Sequence, residues 1–211
     1  MSSGRLVFAS SNSGKIRELE SLLEPLGFSV CSQGQFAIEA VEETAHTFVE
    51  NALLKARHAS SVAELPAIAD DSGLEVDALQ GAPGLYSARY AERHNRGSGD
   101  AANNELLLEH LAAVEDAHRT ARFRCVVVYL RHPYDPSPLI AQGTWEGHVL
   151  REPVGESGFG YDPLFCNHDT QSSAGLLDKQ TKNRLSHRGK AIRKLVELLD
   201  NAPSDSSLTD T

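Results

Sequence analysis

A chain of 211 residues sits at the upper end of one ordinary domain and can bury a substantial core without disulfide or metal staples. Its composition, 40% hydrophobic and 23% charged, is globular, and its apolar runs fall far short of the roughly 20 residues that span a membrane. Lys and Arg number 20 against 29 for Asp and Glu, and the net charge of -9 argues against binding nucleic acid through a basic surface.

Leu6, Val7, Phe8, Ala9 and Ser10 form an apolar run without alternation, which predicts a strand buried on both faces over 6–10. Past Ser11, Asn12, Ser13 and Gly14, the helical spacing of Ile16, Leu19, Leu23 and Leu26 predicts a helix that Gly27 ends. Thr47 to Glu50 is a capping box, opening a second helix with Val49, Ala52, Leu53, Ala56 and Ser60 on one face. Ala67, Ile68 and Ala69 predict another buried strand, closed by Asp70, Asp71, Ser72 and Gly73. The turn Gly81-Ala82-Pro83-Gly84, Tyr86 and the polar stretch 92–99 then make a long loop, of a length that often carries function.

Leu106, Leu107, Leu111 and Val114 predict a third helix, and 123–130 a strand rich in β-branched residues. Residues 139–144 and 148–151 predict two more strands, with Gly143 and Gly147 near their ends. Ile192, Leu195, Val196 and Leu199 mark a final helix. The whole reads as one domain over 1–200 with a small, polar, disordered tail over 201–211. Cys31, Cys125 and Cys166 are odd in number and widely spaced, which suits neither a disulfide framework nor a zinc ribbon. With no basic leader before a long apolar segment, the expected compartment is the cytoplasm.

Five groups of residues carry the chemistry. Ser10, Ser11, Asn12, Ser13, Gly14 and Lys15 lie between a buried strand and a helix N-terminus, where backbone N–H groups, the helix dipole and a lysine suit an anion. The loop is not a Walker A motif, since Ala9 and Ile16 stand where that motif needs Gly and Ser or Thr; plain capping by Asn12 or Ser13 with a solvent-facing Lys15 is the alternative. Glu42, Glu43, Asp70 and Asp71 form two acidic pairs, each beside an element end, and such carboxylates either hold a hard cation such as Mg²⁺ or cap locally. Asn51 and Lys55 lie one helical turn apart on the flank of the second helix, where the lysine either leans into a cleft or snorkels to solvent.

The fourth group, residues 155–163, orders its glycines G-x-x-G-x-G, the reverse of the dinucleotide fingerprint. It lets backbone and a ring of Phe159 or Tyr161 approach a flat ligand, unless Phe159 simply packs in the core. In the fifth group Ser186 is a good N-cap, yet Arg188 and Lys190 then oppose the helix dipole in the first turn. Those donors either meet a phosphate or carbonyl on a ligand or are neutralised by an acid such as Glu197 or Asp178.

With these residues in view, the chain resembles the inosine/xanthosine triphosphate pyrophosphatase family, which hydrolyses non-standard purine nucleoside triphosphates. The marks follow in order between Leu6 and Leu199: Ser10-x-Asn12-x-x-Lys15, Glu42-Glu43-Thr44, Phe48-x-Glu50-Asn51-Ala52-x-x-Lys55-Ala56, Ala69-Asp70-Asp71-Ser72-Gly73-Leu74, Gly81-Ala82-Pro83-Gly84-x-Tyr86-Ser87-Ala88-Arg89, Gly158-Phe159-Gly160-Tyr161-Asp162-Pro163 and Ser186-His187-Arg188-Gly189.

The resemblance implies an α/β fold: a long mixed β-sheet with flanking helices, in two lobes around a central cleft. It implies that Ser10 to Lys15 hold the phosphates, that Asp71 is metal ligand or general base, and that Glu42 or Glu43 adds a second carboxylate to Mg²⁺. Lys55 would face the triphosphate, Ser72 the substrate, Phe159, Gly160, Tyr161 and Asp162 the base and sugar, and Lys182, His187 and Arg188 the purine. Family members often carry acids just before the lysine matching Lys182, whereas Gln180 and Thr181 stand here. The implied products are a nucleoside monophosphate and pyrophosphate, the partner a purine nucleoside triphosphate, the assembly a homodimer. A pyrophosphatase for other modified nucleotides and a non-hydrolysing nucleotide sensor are the competing readings.

Overall fold

The structure, a computed structural model, describes residues 4–201, so the predicted tail from 202 onward lies outside the described residues. Seven strands make one mixed sheet: β1 (Arg5–Phe8), β2 (Ser29–Ser32), β3 (Ala67–Val76), β4 (Thr120–Leu130), β5 (Leu139–Val149), β6 (Phe165–Asn167) and β7 (Ser172–Ser173). Their order is β2-β1-β3-β4-β5-β6-β7. β1 runs parallel to β2 and β3, and the pairings from β3 through β7 are antiparallel. The helices are α1 (Ser13–Leu23), α2 (Phe48–Ala63), α3 (Tyr90–Arg93), α4 (Gly99–His110), α5 (Lys179–Leu185) and α6 (His187–Asp200).

The strands alternate their side chains between two covered faces. Leu6, Phe8, Ile68, Cys125 and Val127 pack with Leu19 and Leu23 of α1 and Ile192 and Leu195 of α6. Val7, Ala67, Ala69, Val126 and Val128 pack on the opposite face against Ala52, Ala56 and Ala59 of α2, small residues that bring that helix close. A third cluster surrounds Trp145, Phe165 and Leu107 where the long strands β3 to β5 run on beyond β1. There Arg119 is buried and donates to the carbonyls of Leu111, Val149 and Leu150, tying the end of α4 to the end of β5.

The predicted starts of α1 and α2 coincide with their caps. Asn12 Oδ1 accepts from the N–H groups of Gly14 and Lys15, and Thr47 Oγ1 accepts from that of Glu50. Two strand ends are corrected. Asp70 to Gly73 do not close β3 but lie in its middle, paired with Val127 to Arg124 of β4. The predicted strands over 139–144 and 148–151 are one strand, β5, with both glycines inside it. Gly143 marks a close approach, not an end, because a Cβ there would run into the carbonyl of His187 at the start of α6. β2, β6, β7, α5 and α3, the last inside the stretch read as a long loop, were not predicted; none exceeds seven residues, too few to carry a clear period.

Candidate active site

The site lies where β1 stops and β3 continues. β1 pairs with β3 only at Val7 and Phe8, and among the described residues no strand covers the β3 edge beyond that point. The turn Gly84–Arg89 borders it instead, held by Ser87 Oγ, which accepts from the Leu74 N–H at 2.8 Å and donates to the Gly84 carbonyl at 2.6 Å. Gly73 allows this contact, since a Cβ would strike the Gly84 carbonyl. A cleft of about 650 Å³ opens in the gap, reached by Asn12, Lys15, Glu43, Lys55, Asp71 and Arg188 among others.

Asp70 and Asp71 are neighbours on a strand and therefore point to opposite faces of the sheet. Asp70 turns toward α1 and α6: Lys15 Nζ lies 2.9 Å and Arg188 Nε 3.1 Å from its Oδ2. Burial alone would raise the Asp70 pKa, but Lys15, Arg188 and Lys55 together hold it well below the usual carboxylate range. Asp71 turns toward α2, where Lys55 Nζ donates to Oδ1 at 2.9 Å and Asn51 Nδ2 to Oδ2 at 3.3 Å. Here desolvation wins and raises the carboxyl above its ordinary value, with Lys55 the main opposing influence.

The same geometry keeps two aspartates inside a strand, because each face supplies its own cations. Lys15 and Lys55 are thus not solvent-facing, and Arg188 is matched by Asp70 rather than by Glu197 or Asp178. Lys55 also donates to Glu43 at 2.8 Å. Glu43, not Glu42, is the glutamate of the cleft; Glu42 is exposed and outside its lining. The two carboxylates on one ammonium place Lys55 where a cation between Asp71 and Glu43 belongs. Among the described residues no set of three His, Cys, Asp or Glu could cage a metal. Two carboxylates with room beside them suit Mg²⁺, which keeps waters and takes further oxygens from a phosphate substrate.

The phosphate-type loop is only partly free for a ligand. Ser10 Oγ accepts from the Asn12 N–H, Ser11 Oγ accepts from Gln33, and the N–H groups of Gly14 and Lys15 go to Asn12. Asn12, Gly14 and Lys15 line the cleft; Ser10, Ser11 and Ser13 are not in its wall, and the hydroxyls of Ser10 and Ser11 hold the shape of the loop.

At the other end of the cleft Phe159 is 54% exposed, so it is not a core residue. Lys182 Nζ lies 4.7 Å and Arg188 Cζ 5.8 Å from its ring centroid, giving a flat apolar face edged by cations. Asp162 is buried, accepts from the Phe159 N–H at 2.7 Å and pairs with Lys182, so it shapes the loop. Tyr161 is buried too, and its hydroxyl donates to the Ser87 carbonyl at 2.9 Å. Arg188 Nη2 donates to Ser72 Oγ at 3.1 Å, joining the start of α6 to β3. His187 stacks on Phe123 at 4.7 Å with its Nδ1 buried and unpartnered among the described residues. Desolvation, then Arg188 and Lys182, push its pKa well down, so the imidazole is neutral.

Two contributors escape sequence reasoning. Asp100 Oδ2 accepts from the Gly160 N–H at 2.6 Å, and Asn104 Nδ2 donates to the Gly160 carbonyl at 2.9 Å, so α4 holds the Phe159 loop over the cleft. Asp100 reads as an ordinary first-turn acid, and only the fold brings it to residue 160.

A family model described as the Ham1 family matches residues 6–198. The dITP/XTP pyrophosphatase of Thioalkalivibrio sulfidiphilus is 53% identical over 196 residues, covering 92% of this chain and 98% of that protein. The dITP/XTP pyrophosphatase of Photobacterium profundum is 50% identical over 198 residues, covering 94% and 99%. The solved structure of a HAM1 protein from Coxiella burnetii superposes with a TM-score of 0.88 at 46% identity, covering 94% of this chain and 99% of that one.

Proposed function

The chain belongs to the Ham1 family, and from that premise we propose that it hydrolyses non-standard purine nucleoside triphosphates, those of inosine, deoxyinosine and xanthosine, to the monophosphate and pyrophosphate. The observation that carries the reading is the division of labour on β3: both aspartates line the cleft, but Asp70 is held ionised by Lys15 and Arg188, while Asp71, beside Lys55 and Glu43, has its pKa raised by burial. A carboxylate kept basic by burial suits proton abstraction from an attacking water. Asp71 and Glu43 would hold Mg²⁺, which would supply charge neutralisation on the phosphates. Lys15 and Lys55 bind the phosphates, and Phe159 stacks on the base.

Selectivity rests on the purine end. The guanidinium of Arg188, oriented by Asp70 and Ser72, and the neutral imidazole of His187 present hydrogen-bonding groups to a 6-keto oxygen. A 6-amino group would leave those donors unpaired. Arg188→Ala is expected to reduce the preference for inosine over adenosine triphosphate by roughly 5- to 150-fold, the equivalent of about 1–3 kcal/mol. The ratio is measured within one variant, so a change in stability cancels; an unchanged ratio removes Arg188 from base selection.

The decisive assay is release of pyrophosphate, as opposed to orthophosphate, over a panel of nucleoside triphosphates with and without Mg²⁺. Metal-dependent pyrophosphate from the 6-keto substrates is expected, and orthophosphate or none at all would refute the reading. The family resemblance supports a homodimer; no helix among the described residues is long and apolar enough to cross a membrane.

A further inference from the structure

We propose that Arg89 is a binding residue for the terminal phosphates, the part that leaves as pyrophosphate; this rests on the pyrophosphatase reading and assigns one more residue to that site. The cations of the cleft differ in how tightly they are held. Lys15 makes two bonds to Asp70 at 2.9 and 3.1 Å, Lys55 holds Glu43 at 2.8 Å and Asp71 at 2.9 Å, and Lys182 pairs with Asp162. Arg188 meets Asp70 and Ser72, each at 3.1 Å. Arg89 lines the same cleft, yet its contact with Glu43 is long, 3.5 Å, and its side chain is 38% exposed. If Arg89 turns to a ligand, Glu43 keeps its shorter bond to Lys55, so the move strands no carboxylate.

The backbone beneath Arg89 is fixed while its side chain is not. Asn103 is buried and clamps the chain on both sides, donating from Nδ2 to the Ala88 carbonyl at 3.1 Å and accepting at Oδ1 from the Ala91 N–H at 2.8 Å. Ser87 ties the preceding residue to β3. Tyr86 gives the side chain a lateral rest: its ring carries Arg93 at 3.6 Å and Arg89 at 5.7 Å from the centroid. An anchored guanidinium with a weak resting contact matches the two-pronged recognition of phosphate oxygens.

The ion pairs place Arg89 on the phosphate side. From the purine end they run Arg188, Asp70 and Lys15, and beside them Asp71, Lys55, Glu43 and Arg89. Arg89 therefore belongs, through Glu43 and Lys55, to the set that contains Asp71, and not to the Arg188–Asp70–Lys15 set.

The test compares wild type with Arg89→Ala and Arg89→Lys, using calorimetric titration of pyrophosphate with Mg²⁺ and of inosine monophosphate, together with steady-state turnover of inosine triphosphate. Arg89→Ala is expected to weaken pyrophosphate about 10- to 100-fold and to raise KM for the triphosphate in step, with monophosphate affinity unchanged and Arg89→Lys in between. Unchanged pyrophosphate affinity in Arg89→Ala, where the wild type does release pyrophosphate, overturns the role of Arg89 alone. An equal loss for the monophosphate also overturns it, because the residue then serves the nucleoside end. Absence of pyrophosphate release by the wild type overturns the site's reading and this proposal with it.

Discussion

Asp71→Asn is expected to lower pyrophosphate release from inosine triphosphate by about 10²- to 10⁴-fold while leaving the protein folded. The amide keeps one oxygen, enough to accept from Lys55 at 2.9 Å, while its NH2 replaces the oxygen that accepts from Asn51 at 3.3 Å, so one of the two hydrogen bonds survives. What is lost is the negative charge and the capacity to take a proton. Without metal, burial raises the Asp71 carboxyl above its ordinary range, and Mg²⁺ held by the same carboxylate would oppose that shift. Initial rates with Mg²⁺ and a thermal melt of each protein check both the loss of rate and the retention of the fold. Turnover within a few-fold of wild type would remove Asp71 from the chemistry.

Asp70→Ala should lower stability as well as release Arg188 and Lys15 from their partner in the cleft. Asp70 is buried and neutralises Lys15 and Arg188, so its removal leaves two cations without their carboxylate in a largely desolvated place. Breaking such a pair costs about 3–5 kcal/mol, which in a chain of this length lowers Tm by roughly 6–20 °C. The pH dependence has a definite sign. The folded-state pKa of Asp70 is depressed below its ordinary value of 3.8, so its contribution is fully present above that value and is lost as pH falls toward the folded pKa. Urea midpoints of wild type and variant should therefore lie far apart at pH 7 and draw together below about pH 4. An equal gap at both would mean that the carboxylate's charge is not what stabilises the fold there.

Most of the site's membership was legible in the residues. The capping signals at Asn12 and Thr47 placed two helix starts, and the motifs singled out Lys15, Lys55, Asp71, Phe159, Lys182, His187 and Arg188, all of which line one cleft. Other features were hidden for definable reasons. A strand that carries two aspartates looks terminated unless the cations facing them, 55 and 118 residues away for Lys15 and Arg188, are already in place. Gly143 looks like a strand end until α6 is seen resting on it. Asp100 and Asn104 carry no local signal for gripping residue 160.

Local sequence by itself determined the helix caps, the buried periodicities and the types of charged group available, because these depend on neighbours within a few residues. Only the tertiary structure decided what each charge is for. The two-residue repeat of β3 sends Asp70 to the helices on one face and Asp71 to α2 on the other, and the early end of β1 uncovers that stretch of strand. Adjacent, chemically identical carboxylates thereby part ways, one held ionised between Lys15 and Arg188 and the other raised by burial beside Lys55, since pKa follows from the charges and burial that packing places around them.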